Sequence, residues 1–352
     1  MEILFAYEKP AEGNQFIARK EESARLLKCV KNKQKAVIYG SARIGKTSLV
    51  RNVLQNLKKS GYRFMVIEMD LFNIRSKDHF LDMLSRELLP IFERYNMQSP
   101  LPLDINTDNM SDSLLMDLPD MMAQHFGLNT VLYFKEFQNI LGFDQGEKFL
   151  EDYASIVRSH RSVSYIFSGS SVNRMKYIFN DLDCFGIDIE KIYLGAIERK
   201  PFTDYIISTF QRTGRVIEQD MADEIYDFCK GHPWYTQHFA SICYDSTIGY
   251  INQNVITHAR EALIYVHDSS FRDIMRELTT NQINFLMAVN ENVSRFCSAD
   301  VLEQYNLISS AHVARVKDSL LKKEIITVND DGTVSMIDPL FEYWLKYYYF
   351  IE

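Results

Sequence analysis

The chain has 352 residues, 46% of them hydrophobic and including 23 Phe and 20 Tyr, enough for two or three cores and incompatible with wholesale disorder. A net charge of −8 excludes broad electrostatic binding of nucleic acid or anionic lipid over the whole surface, though a local basic face stays open. Scattered cysteines (Cys29, Cys184, Cys229, Cys243, Cys297) without a CxxC, no apolar run near the ~18 residues that span a bilayer, and a start (MEILFAYEKP) unlike a secretory signal point to a cytoplasmic protein with no membrane partner.

Between residues 36 and 194 short apolar runs alternate with helical patterns, the rhythm of an α/β domain with a mostly parallel sheet. The first run, AVIY (36–39), leads through a Gly-rich turn into a helix over Thr47 to Leu57 that lines up Leu49, Val50, Val53, Leu54 and Leu57. RFMVIEM (63–69) is the second strand, and Phe80, Leu81, Leu84 and Leu88 mark a second helix that Pro90 kinks or ends. Residues 96–112 are polar and aperiodic, a surface loop. TVLYF (130–134), VSYIF (163–167) and KIYL (191–194) bring the strand count to five. From about Glu198 to Asp268 helical patterns follow one another, split by Gly231-His232-Pro233, as in a helical lid. From Thr279 three helices precede a hairpin of IITV and TVSMI with Asp331-Gly332 at its tip, the pattern of a winged helix. The expected domains are 1–196 (nucleotide binding), 197–272 (lid) and 273–352 (winged helix with a C-terminal helix).

The turn after AVIY reads Gly40-Ser41-Ala42-Arg43-Ile44-Gly45-Lys46-Thr47-Ser48 and fits GxxxxGK[ST] between a strand and a helix. Glycines let backbone N–H groups curl around a phosphate, and the helix N-terminus adds its positive end. Lys46 would bridge the outer phosphate oxygens, and Thr47 would offer its hydroxyl to Mg²⁺. ATP or ADP is the expected ligand.

In phosphate-loop enzymes an acid closing a later strand holds Mg²⁺, and a Glu beside it orients the attacking water. Here VLYF is followed by Lys135 and Glu136. Glu136 is the candidate catalytic residue and, with Thr47, the candidate metal ligand. An ammonium within ~5 Å of Mg²⁺ would be repelled by several kcal/mol even at an effective dielectric of about 20. Lys135 has three courses: to swing away, to pair with the phosphates in place of the metal, or to leave metal duty to Glu136. Each weakens hydrolysis while leaving binding to the loop and Lys46.

Taken together, FIARKEE (16–22), YGSARIGKTSLV, VLYFKEFQNI, IFSGSS (166–171), GHPWYTQ (231–237) and IDPLFEYWLKYYYF (337–350) resemble the archaeal-ATPase type family within the STAND class of AAA-related ATPases, including its Bacteroidales members. The resemblance spans nearly the whole chain. It implies an ASCE-type P-loop NTPase parallel sheet in the order 5-1-4-3-2, followed by a helical lid and a winged helix. It also implies that Phe16, Ile17 and Arg19 flank the adenine and that Gly40 to Ser48 hold the phosphates. Ser168 or Ser170 would sense the γ-phosphate, with Ser170 taken as the site residue, and Pro233 would pack near the base. The chain departs from the family where Lys135 stands for an Asp, where Ala18 and Lys20 stand for a Gly and a Glu, and around CFGIDIE (184–190), which has no Arg where some relatives keep one.

The expected activity is a nucleotide-dependent switch with slow hydrolysis. The alternative is an inactive nucleotide-binding protein whose winged helix binds DNA or a protein partner. His312, Arg315, Lys317, Lys322 and Lys323 could meet a DNA backbone, but the acidic tip Asn329-Asp330-Asp331 makes a protein partner, through lid or winged helix, the favoured reading. His232 is read as a solvated loop residue or a phosphate contact, and the stripe Phe341, Trp344, Leu345, Tyr348 as core.

Overall fold

The computed structural model describes residues 4–98, 101 and 110–351. They form two compact units: a sheet unit of Arg19–Ala42 and Lys46–Leu194, and a helical unit of Met1–Ala18, Arg43–Gly45 and Gly195–Glu352.

In the sheet unit the elements run α1 (Lys20–Lys31), β1 (Lys35–Tyr39), α2 (Lys46–Lys59), β2 (Met65–Asp70), α3 (Lys77–Asn96), α4 (Asp112–His125), β3 (Thr130–Lys135), α5 (Gly146–Ser159), β4 (Val163–Gly169), α6 (Val172–Lys176) and β5 (Glu190–Tyr193). The five strands pair in parallel in the order β2-β3-β4-β1-β5, which is the expected 5-1-4-3-2 read from the other edge. Strands covered on both faces read as apolar runs, and β4 is buried along its whole length, whereas the edge strand β2 alternates. One sheet face packs Ile67, Leu132, Phe134 and Phe167 against Phe80 and Leu84 of α3 and Phe149 and Tyr153 of α5. The pleat turns Tyr133, Lys135 and Ser168 to the opposite face.

Of the two expectations for Pro90, kinking or ending its helix, the second does not hold, since α3 continues to Asn96. Beyond the proline, Phe92 is buried with Leu118 and Met122 of α4, and that burial offsets the lost backbone bond. The expected loop over residues 96–112 lies largely outside the described residues.

The helical unit contains α7 (Arg199–Arg212), α8 (Gln219–Phe228), α9 (Pro233–Asp245), α10 (Gln253–Arg276), α11 (Thr280–Asn290), α12 (Ala299–Gln304), α13 (Ser310–Lys322), β6 (Ile326–Val328), β7 (Val334–Met336) and α14 (Pro339–Trp344). β6 and β7 form the expected antiparallel hairpin, and Thr279 opens α11 with a capping box closed by Gln282. One apolar core runs from Phe5, Phe202 and Phe210 through Phe239 and Leu263 to Phe285, Leu320 and Trp344. Polar links accompany it: Tyr235 Oη donates to Asp338 Oδ2 at 2.6 Å and Trp344 Nε1 to Asp268 Oδ1 at 2.9 Å. Phe341, Trp344 and Leu345 are buried as expected, but Tyr348 is 45% exposed. The chain passes from α14 into a π-turn at Leu345–Tyr349, whose wider winding carries Tyr348 off the apolar stripe. Among the described residues no helix is long and apolar enough to cross a membrane.

Candidate nucleotide site

The phosphate loop joins β1 to α2. Gly45 sits at φ +102°, a region that L side chains rarely adopt, so glycine is needed there for the turn into α2. Lys46 is 7% exposed, and its Nζ donates to the carbonyls of Gly40 at 2.9 Å and Ser41 at 2.8 Å, which holds the ammonium over the loop. Burial lowers its pKa to about 8, against an opposing pull from the Glu136 carboxylate. Ser48 is buried, and so is Ile44, which belongs to the helical unit. Arg43 takes a left-handed φ of 59°, and within the helical unit its guanidinium lies 4.0 Å over the Trp234 ring.

At the C-terminal ends of β3 and β4 a second cluster forms. Glu136 leaves β3 in a left-handed conformation (φ 51°). Its Oε2 accepts from Ser170 Oγ at 2.5 Å, Ser170 N at 3.3 Å and Gln138 Nε2 at 2.7 Å. Of the two candidate serines, Ser170 therefore meets Glu136. Ser168 is buried, donating to Phe134 O and Tyr133 Oη, each at 3.3 Å.

Lys135 takes the first of its three courses. It turns sideways to ion-pair with Glu68 on β2, with its Nζ 5.8 Å from the centre of the Tyr133 ring. Tyr133, 1% exposed, is hydrogen-bonded with both Thr47 and Ser168, and burial pushes its phenol up to about 12, so the hydroxyl stays neutral.

These contacts bear on Mg²⁺. Lys135, which ends β3, is committed to Glu68, and Thr47 is hydrogen-bonded with the Tyr133 hydroxyl. Among the described residues no group of three or more His, Cys, Asp or Glu could hold a metal. The anion cradle suits a polyphosphate, whereas the residues around Thr47 and Glu136 suit a divalent cation poorly.

The remaining expected residues are placed as follows. Phe16 closes a 3-10 turn, Gly13–Gln15, and Ile17 is buried in the core of the helical unit. Ala18 and Arg19 are both left-handed (φ 55° and 60°), and Arg19, 8% exposed, pairs with Glu22 at 3.0 Å. Pro233 is the first residue of α9, preceded by His232. His232 is buried, its ring 4.8 Å from that of Tyr235, not solvated as expected. At Gly231 a Cβ would meet Tyr226 Oη at 2.6 Å and the Ile197 carbonyl at 2.8 Å, which is why the turn before α9 carries glycine. Phe16, Ile17, Arg43, Ile44, Gly45 and Pro233 belong to the helical unit, and Gly40, Ser41, Arg19, Lys46, Thr47, Ser48, Glu136 and Ser170 to the sheet unit.

Sequence reasoning missed Glu68, Tyr133 and Gln138. For Glu68 the available signal was acids in the second strand (MVIEMD) and a lysine ending the third (TVLYFK), which a shared sheet face brings together.

Residues 269–347 match the model of a family described as a probable winged helix domain. The chain is similar in structure to the Walker-type ATPase of Pyrococcus abyssi, with a TM-score of 0.73 and 16% identity, covering 98% of this chain and 100% of that one. It is also similar to the ORC2 protein of Aeropyrum pernix in its ADPNP-ADP complexes (TM-score 0.59, 13% identity, 92% of this chain and 90% of that one). The ADP form of the same protein is similar at a TM-score of 0.57 and 12% identity, with 93% of each chain covered. No curated protein sequence matches the chain. The chain thus has the fold of the P-loop ATPases, ending in a winged helix.

Proposed function

We propose that the protein is an ATP- or ADP-binding switch of the STAND type with slow hydrolysis. Its nucleotide domain would be residues 1–196, its lid 197–272 and its winged helix 273–352. The observation that carries this reading is the buried Lys46 held over a Gly-gated loop at the β1–α2 junction. The ADPNP and ADP complexes of the Aeropyrum pernix relative support an adenine nucleotide as ligand.

In this reading Gly40, Ser41, Gly45, Lys46, Thr47 and Ser48 hold the phosphates, while Phe16, Ile17, Arg19 and Pro233 flank the base. Glu136, fixed by Ser170 and Gln138, orients the attacking water, and Ser170 transmits the loss of the γ-phosphate to β4. Turnover is slow because Lys135 occupies the position of the second acid. The nucleotide state then alters what the winged helix presents to a protein partner. A protein is favoured over DNA because the basic end of α13 is partly neutralised by nearby acids. Lys322 pairs with Asp318 at 2.8 Å and Lys323 with Glu277 at 3.9 Å. Nucleotide released on denaturation and identified by mass, together with calorimetric titration of ATP and ADP, tests the reading. Failure to bind either one ends it.

A further inference from the structure

We propose that nucleotide capture at this site is independent of divalent cations, because the Lys135–Glu68 ion pair and the Tyr133 hydroxyl stand where a metal-binding carboxylate would be needed. The inference rests on the nucleotide reading above and concerns how that same site is charged.

Four observations converge. The residue that ends β3, where a phosphate-loop site places its metal ligand, is a cation. It is ion-paired with Glu68 on the neighbouring strand, with 16% of its side chain exposed, so that carboxylate is occupied as well. The Thr47 side chain, the other usual metal ligand, is hydrogen-bonded with the Tyr133 hydroxyl. Finally, Glu136 directs Oε2 to three donors from Ser170 and Gln138, a fixed arrangement that suits an orienting carboxylate better than a metal ligand.

A divalent ion approaching Thr47 would meet the Lys135 side chain on the same sheet face, with no carboxylate at the end of β3 to hold it. The positive charge that a polyphosphate needs is already supplied by Lys46 and the start of α2. The pair thus puts a cation at the end of β3 and commits the Glu68 carboxylate of β2 to balancing it.

The test is titration calorimetry of ADP and of ATP into the full-length, nucleotide-stripped protein, once with excess Mg²⁺ and once with EDTA. The expected result is that each Kd agrees within about threefold between the two media. A larger loss of affinity in EDTA overturns the inference while leaving the nucleotide reading intact. Absence of binding in both media removes the nucleotide reading, and this inference with it. The double variant Lys135→Asp/Glu68→Gln, which removes the ion pair and puts a carboxylate at the end of β3, should acquire a Mg²⁺ requirement of tenfold or more in Kd (about 1.4 kcal/mol). If that variant binds as indifferently to EDTA as the parent, the ion pair is not the cause and the proposal falls. Should the double variant fail to fold, Glu68→Gln alone serves: freeing the ammonium should leave EDTA without effect on ADP affinity, and EDTA sensitivity there would count against the proposal.

Discussion

The phosphate loop and the ends of β3 and β4 are two halves of one kind of site, and this chain treats them differently. The loop retains each element its chemistry needs: Gly45 in a conformation reserved for glycine, Lys46 buried and held over the loop, and Thr47 at the start of α2. At the strand ends Glu136 is held by Ser170, while Lys135 beside it is paired with Glu68, and Tyr133 contacts Thr47. Gripping a polyphosphate depends on backbone geometry and one ammonium, whereas cleaving it needs charges placed to within a fraction of an ångström. The first can therefore persist while the second is dismantled.

The largest effect that would break this contrast is loss of binding from the loop alone. Lys46→Ala removes a buried charged donor, and ADP affinity measured by calorimetry should fall about 100-fold. A change under threefold would mean that the loop is not the grip. Lys135→Asp, assayed by phosphate release from ATP in Mg²⁺, should raise the hydrolysis rate by roughly tenfold. An unchanged or lower rate would leave the slow half of the contrast without its stated cause.

The pH dependence sharpens the loop's share. Burial has brought the Lys46 pKa down to about 8 without ligand, and a bound polyphosphate would raise it again. Below pH 8 the ammonium exists in both free and bound protein. Above it the free site has lost its proton and binding must recover one. Affinity should accordingly be flat below pH 8 and fall by up to about tenfold per unit above it, with proton uptake visible when calorimetry is repeated in buffers of different ionisation enthalpy. The smallest expected effect lies outside both halves. Ala18, at φ 55°, occupies a conformation that suits glycine, so Ala18→Gly should stabilise the chain by about 0.5–1 kcal/mol, read as a rise of a few degrees in Tm.

How much of this was legible in the sequence follows from how local each feature is. The loop was fully legible, because strand, glycines, lysine and helix are contiguous and their spacing is the chemistry. The five strands were found to within two residues at each end for the same reason, and their order came from resemblance, since pairing cannot be read from a single run. That Lys135 was out of place was also visible, but its partner was not. Glu68 precedes it by more than sixty positions and becomes its neighbour only through the β2–β3 register. Tyr133 read as core, and it is core, but its hydroxyl reaches Thr47 and Ser168, which no periodicity reports. Tyr348 was misplaced because an α-helical period was extended across a π-turn.

The unbroken core of the helical unit bears on how the protein comes apart. Phe271 of α10 meets Phe341 and Trp344 near the other end of the chain at ring distances of 5.3 and 5.7 Å, and Lys230, just beyond α8, pairs with Glu342 at 2.6 Å. Elements tied in this way should melt in one cooperative step. A protease cut near Leu278 would then leave two unsatisfied fragments in place of two autonomous modules, and the C-terminal piece expressed alone should be a sticky, partly molten chain.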